Sequence, residues 1–285
     1  MGTRANLVIH AHDQEAAEEA AEAVFERVAA IEDVLSDWQL DSEVVRLRAM
    51  PAGSSIVISH DLDKALASSF EISLASGGAF DVTCGRLTHL WRGAKQAGRL
   101  PSRDSIEEAR AGGGWQQLER IAGQDGPMLQ SQSGSPWLDF GGIGKGMAAD
   151  EALDILQNRG LDRSLVDLGG DMAIGSPPPG KSGWRIEALN QERTLVVSQC
   201  GVATSGSTEQ FMLVDGHRLS HLLHPKTGQA VPDRGSFTVV APTATQADAW
   251  ASVAAVVGVE AARGMVDPAQ EILFIEERED STANP

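Results

Sequence analysis

The stretch FMLVDGHRLSHLL, residues 211–223, limits the fold more than any other. Two apolar-rich runs flank Asp215-Gly216, the dipeptide that suits a type I′ turn, whose twist matches that of paired strands. Such a hairpin belongs to an antiparallel sheet, which weighs against a doubly wound parallel chain. Other stretches carry the helical period. After a weakly alternating strand at 5–10, Asp13 can cap a helix with Glu15 and Glu18 near its positive start and a stripe of Val24, Val28, Ile31 and Leu35. SSIVIS reads as a strand. The helix that follows takes Ser59 or Asp61 as cap, Gly77 as stop and Leu62, Leu66, Phe70 and Leu74 as stripe. Residues 92–136, rich in Gly, Ser, Gln and Arg, read as a looser region with one short helix near Asp104–Ala111.

Beyond it, a helix ending at Gly160 follows LDFGGIGKGMAAD, with Ala149, Leu153 and Leu156 among its apolar positions. SLVDLGGDMAIG is a strand running into a Gly-Gly turn. WRIEAL, TLVVSQCGVATSG, SFTVVAP and EILFIEE read as strands, and Thr245–Val257 as a helix stopped by Gly258. Helices mixed with hairpin strands predict an α+β fold, organised as one domain of two lobes over residues 1–285 with a frayed charged tail at about 277–285.

Charge narrows the function. Lys and Arg total 23 against 40 Asp and Glu, a net charge of -17, which argues against a nucleic-acid or anionic-membrane surface. Cys84 and Cys200 make neither a disulfide framework nor a metal-ligand spacing. No apolar run approaches the ~18 residues of a membrane helix, and MGTRANLVIHAHD carries neither a signal-peptide pattern nor, with Asn6 where Ser or Thr is needed, a myristoylation signal.

The glycine-rich LDFGGIGKGMAAD, residues 138–150, has the makings of a phosphate cradle: glycines for close backbone approach, a helix start with free N–H groups, and the charge of Lys145. It is not a nucleoside-triphosphate loop, because Gly146 follows Lys145 where that loop needs Ser or Thr. Nor is it the dinucleotide fingerprint, whose third glycine would fall on Met147. By itself it is equally a tight strand-to-helix turn.

Four further stretches join it: GGAFDVTCGRLTHLW (77–91), DLGGD (167–171), VATSGSTEQF (202–211) and LSHLLHPKTGQAV (219–231). A fifth, TQADAWASVAAVVG (245–258), places Asp248 and Ser252 one helical turn apart. In this order, over almost the whole chain, they resemble the ApbE-type flavin transferases. The resemblance implies a Mg²⁺-dependent transfer of FMN from FAD to a threonine hydroxyl of a target redox protein, with release of AMP. It assigns His221, a residue type suited to proton removal near neutral pH, as base. It assigns Asp248, the Ser252 hydroxyl and the Gly142 carbonyl to the metal, oxygen donors of the kind Mg²⁺ prefers. Met1, Trp38, Ala79, Phe80, Asp81, Asp139, Lys145 and Leu222 match FAD contacts, Trp38 standing where the family has an aromatic ring against the ligand.

The departures are His224 for the aspartate of D-P-R-T-G, Lys226 for its arginine, Val82 for a proline, His89 for an asparagine, Asp167 for the asparagine before Leu-Gly-Gly, and Arg48 for an asparagine. Family targets are membrane-bound or exported redox subunits with an exposed threonine motif. A periplasmic or extracytoplasmic location is implied; the chain shows no leader, which leaves a cytoplasmic one open. Membrane contact is expected only through the target or an anchor outside this chain. Bland readings stand beside these. His221 is also a surface hairpin histidine, Asp248 a first-turn acid favoured by the helix dipole, and Trp38 a core aromatic. His221 with His224 as a transition-metal pair lacks a third ligand nearby. Two rival functions share the site: cleavage of FAD to FMN and AMP by water, and flavin binding without catalysis.

Overall fold

The computed structural model describes residues 3–187, 194–206, 211–215, 217–232 and 235–277. Strand β1 (Ala5–Ile9) leads into α1 (Gln14–Leu35), where the Asp13 carboxylate accepts the Glu15 N–H and Val24, Ile31 and Leu35 are buried. The short α2 (Glu43–Arg46) precedes β2 (Ser54–Val57) and α3 (His60–Ala75). Ser59 caps α3, its hydroxyl accepting the Leu62 N–H. The expected stripe departs at its end. Leu74 is 70% exposed, while Ser69, Ile72 and Ser73 are buried. Ser69 is tolerated inside because its hydroxyl donates to the Ala65 carbonyl at 2.6 Å.

The region expected to be loose is mostly ordered. It holds the second half of α4 (Gly85–Ala97), then α5 (Arg103–Ala111) and the hairpin β3 (Leu118–Gly123)–β4 (Gly126–Ser131), which pairs with β2. Then come α6 (Gly144–Asn158) and the hairpin β5 (Ser164–Leu168)–β6 (Asp171–Ile174). Gly169 and Gly170, at φ of 68° and 94°, supply the left-handed turn between those strands. The rest is β7 (Trp184–Glu187), β8 (Thr194–Val197), β9 (Cys200–Gly206), β10 (Phe211–Val214), β11 (His217–Ser220), β12 (Ser236–Ala241), α7 (Ala244–Val257), α8 (Val259–Arg263) and β13 (Leu273–Glu277). The β10–β11 pair is the hairpin read from the sequence; of its turn, Asp215 has φ 49°, and Gly216 lies outside the described residues.

The main sheet runs β1-β5-β6-β9-β12-β13, antiparallel at every pairing. The fold is therefore α+β. Helices α6 and α7 pack on this sheet, and α1 packs on α6. Helix α7 is Ala-rich and buried on every side from Ala247 to Val256, so it is the centre of the core rather than an amphipathic cover. Its start is fixed by Asp150 of α6, whose carboxylate accepts the N–H groups of Ala244 and Thr245 at 2.8 and 2.9 Å. A second, smaller core gathers Leu87, Trp91, Ile106, Met212, Val214 and Leu223 from α4, α5, the β10–β11 hairpin and the turn after it. The ring N–H of Trp91 donates to the Gly228 carbonyl at 2.8 Å and ties that turn to α4.

Candidate active site

A cavity of about 1250 Å³ opens where the starts of α6 and α7 meet this second core. It exceeds the roughly 300–1,000 Å³ of pockets for drug-sized ligands, so it can take something as large as a dinucleotide. Its wall includes Trp38, Ala79, Phe80, Asp81, Asp139, Gly142, Lys145, His221, Leu222, Asp248 and Ser252. Met1 lies outside the described residues. Residues separated by up to 214 positions, Trp38 to Ser252, thus share one cavity.

The glycine loop builds one wall. The Asp139 N–H donates to the Val82 carbonyl at 2.7 Å, and its carboxylate accepts the Gly141 N–H at 2.8 Å. Helix α6 begins at Gly144 with no side-chain cap at Ile143. One of its early N–H groups, that of Gly146, donates to Asp248 Oδ2 at 3.1 Å. Asp248 is the fifth residue of α7 and 2% exposed. Its partner is thus the positive start of a different helix, not the dipole of its own.

Lys145 stands between two carboxylates, 2.5 Å from Asp171 Oδ2 and 3.6 Å from Asp248 Oδ2, and also donates to the Gly141 carbonyl at 3.3 Å. Burial pushes Asp171 up to about 8, reinforced by Asp248 and opposed by Lys145. Burial also raises Asp248, against the pull of Lys145 and the Gly146 N–H. Burial disfavours the Lys145 charge, but Asp248 and Asp171 outweigh it and hold the ammonium above its ordinary range. Asp171 is the acid that sequence reading missed: in DLGGD it passes for the last residue of a turn, and only the fold brings Lys145 to it.

Further oxygen donors line the same cavity. A Cβ on Gly142 would sit 2.7 Å from the Ser252 hydroxyl, so glycine lets this backbone press against Ser252. Ser205 Oγ lies 3.4 Å from Ser252 Oγ. Asp248, Ser252 and the Gly142 backbone form an all-oxygen set that fits a hard divalent cation. Among the described residues no group of three or more His, Cys, Asp or Glu is placed to hold a metal. A cation here would therefore lean on hydroxyl, carbonyl and ligand oxygens.

Asp81 is committed to local structure. It accepts the Thr83 N–H and hydroxyl at 2.8 and 2.7 Å and the Trp115 N–H at 3.3 Å; burial raises its carboxyl, and those bonds oppose the rise. Beside it Phe80 is buried, its N–H held by the Ser76 hydroxyl. Trp38 is not core: it is 69% exposed at the cavity wall.

His221, also on the cavity lining, follows the end of β11. The Ser220 hydroxyl accepts the Leu222 N–H at 3.1 Å, and the Leu222 carbonyl accepts the Val231 N–H. In the turn below, His224 Nδ1 accepts the Lys226 N–H at 3.2 Å. An aspartate at this place would accept the same i+2 bond, so histidine is a chemical substitute within the turn. Burial and the Lys226 charge lower its pKa, which favours the neutral ring that can accept this bond.

The comparisons agree with one another. The sequence profile of the ApbE family matches residues 1–274. The FAD:protein FMN transferase of Escherichia coli (strain K12) is 31% identical over 278 residues, 93% of this chain and 79% of the relative. That of Treponema pallidum (strain Nichols) is 32% identical over 277 residues, 90% and 76%. Among solved structures, the ApbE protein from Thermotoga maritima superposes at a TM-score of 0.81 with 28% identity, covering 96% of this chain and 91% of its own. The Pseudomonas stutzeri flavinyl transferase ApbE in its apo form gives 0.79 and 27%, covering 95% and 92%. A profile that spans the glycine loop, the histidine turn and α7 alike settles the lineage: this chain belongs to the ApbE family.

Proposed function

We propose that this chain transfers FMN from FAD to the hydroxyl of a threonine on an acceptor redox protein. The observation that carries the reading is the cavity: Lys145, Asp248, Ser252 and His221 all line it. The acceptor oxygen attacks the FMN phosphorus, the P–O–P bridge breaks, and AMP leaves with the bridging oxygen. His221 takes the proton of the attacking hydroxyl. Lys145 would bring its charge toward the diphosphate, while the Gly146 N–H holds the Asp248 carboxylate in place. Mg²⁺, held by Asp248, Ser252 and the Gly142 carbonyl, would neutralise charge on the phosphate oxygens. Trp38, Ala79, Phe80 and Leu222 would cover the apolar parts of FAD, with Asp139 at the loop's edge. An acceptor among membrane-bound or exported redox subunits would put the reaction outside the cytoplasm.

The test is incubation with FAD and Mg²⁺, with and without a threonine-bearing acceptor. Acceptor-dependent AMP release with addition of the FMN mass is expected. Equal AMP release without acceptor would make the chain a FAD hydrolase, and tight FAD binding without AMP a mere flavin binder. His221→Ala should lower transfer about 10²–10⁴-fold, the usual worth of a general base, while FAD affinity stays put. Loss of FAD binding in that variant would assign His221 to the ligand instead.

A further inference from the structure

Arg92, on the cavity wall, has no part in the chemistry above. It is carried by α4, next to Trp91, which anchors that helix in the second core. Its guanidinium lies 4.0 Å from the centroid of the Trp38 ring. One nitrogen is bonded to Asp37 Oδ2, and the other is 3.9 Å from Asp139 Oδ2. Asp37 is itself tied down: its backbone carbonyl accepts from Arg48 at 3.1 Å. Arg92 thus links the helix, the loop that carries Trp38, and the first residue of the glycine loop.

Trp38 needs such a link. It is a large, highly exposed plate between α1 and α2, and an exposed indole that is free to turn loses orientation on binding a ligand. A guanidinium is planar, stacks flat on an aromatic face and can keep an ion pair at its edge while doing so. The arrangement fixes one face of the indole and leaves the ring at the cavity wall as a preset stacking surface.

We propose that Arg92 is a positioning residue that sets the preference for the flavin end of the substrate, acting through Trp38 rather than on the phosphates. The inference rests on the flavin reading above. Its ligand class is a planar polycyclic heteroaromatic head, and the adenylate half should not sense it.

The experiment is a double-mutant cycle on the full chain without acceptor, titrating FAD and, separately, ADP by calorimetry. Arg92→Met keeps the aliphatic stem and removes the charge. It should weaken FAD about tenfold, within the range of a desolvated cation–π contact, and ADP by less than about twofold. Trp38→Leu should weaken FAD at least as much. The double variant should be no weaker than Trp38→Leu, and Arg92→Lys should recover part of the loss. Asp37→Asn, which frees the guanidinium edge, should give a smaller effect of the same kind and serves if Arg92→Met folds poorly. Equal losses for FAD and ADP, or multiplying losses in the double variant, would overturn the proposal and leave the flavin reading intact. A wild-type chain that binds FAD no better than ADP would overturn both.

Discussion

Two glycines two residues apart in GIGKG should respond oppositely to the same change. A Cβ on Gly146 would lie 2.2 Å from the Ala244 carbonyl oxygen, 2.6 Å from its carbon and 2.9 Å from Thr245 Cα, all backbone atoms. Relief would require the starts of α6 and α7 to part by roughly 1 Å, given ordinary contact near 3.5 Å. The Gly146 N–H bond to Asp248, 3.1 Å at present, would then be lost or badly stretched. Overpacking costs about 1–3 kcal/mol and a hydrogen bond to a charged group about 1.5–3, against a helix-propensity gain of at most about 1. Gly146→Ala should therefore destabilise by roughly 2–4 kcal/mol, a fall in Tm of roughly 5–15 °C in a chain of this size. It should also weaken FAD binding, because Asp248 and Lys145 lose their register. At Gly144 the added Cβ would meet Phe140 Cβ at 3.5 Å and Leu35 Cδ1 at 3.6 Å, ordinary contacts. Gly144→Ala should stay within about 1 kcal/mol of wild type. Thermal unfolding and FAD titration of both variants decide it. If Gly146→Ala melts with wild type and binds as well, or if the two variants suffer alike, the close approach of α6 to α7 is not what shapes this site.

Two further expectations concern charge. His224→Asp should keep the Lys226 N–H acceptor and full transfer, whereas His224→Ala should cost about 0.5–1.5 kcal/mol of stability. Because the folded-state pKa of His224 lies below 6.5, the unfolded chain binds more protons, so wild-type stability should fall as pH drops below 6.5 toward the lowered value. His224→Asp should lack that component in melting curves from pH 7 to 5; an unchanged acid slope would remove His224 from the turn's energetics. Arg27 donates to Asp61 at 2.7 and 2.5 Å and to Glu151, joining α1 to α3 and α6. Its bonds hold the Asp61 carboxyl below 3.8, a contribution present above that pH and lost as pH falls through the lowered value. Arg27→Met should melt several degrees lower at pH 7, with the gap narrowing as pH falls below 3.8, and a gap independent of pH would mean packing rather than charge.

The legible parts of the chain were those where local chemistry and burial agree. Asp13 caps α1 and the glycine pair turns β5 into β6, so pattern and structure coincide. Helix α4 was hidden because its faces serve two purposes. Leu87, Trp91 and Ala94 go inward, Thr88 and Arg92 go to the cavity, and Gly85 and Gly93 imitate a loop. The β3–β4 hairpin was hidden because its strand β4 is stabilised by pairing with distant β2, although Gly126 at φ 132° marks the turn. The site followed the same rule. The site residues read from the sequence, Met1 aside, fell on one cavity, whereas the roles of Asp171, Asp37 and Arg92 are defined only by neighbours far along the chain.

Helix α6 begins as a phosphate site should, yet its Gly146 N–H is already directed at a protein carboxylate. With Asp171 and Asp248 both ionised, one ammonium leaves the trio net negative, and a diphosphate would meet repulsion there. Lys145 alone therefore cannot make this wall attractive to a phosphate. Attraction requires either a proton on Asp171, whose carboxyl is pushed up to about 8, or a further cation beside Asp248 and Ser252. The glycines admit the close backbone approach that both depend on, since Gly142 and Gly146 bring the loop against α7 where any side chain would hold them apart. What looked in the sequence like a phosphate loop is thus half of a site. Its other half is the carboxylate and hydroxyl of a helix buried a hundred residues further on, and on these charges the two would bind a phosphate only together with a proton or a further cation.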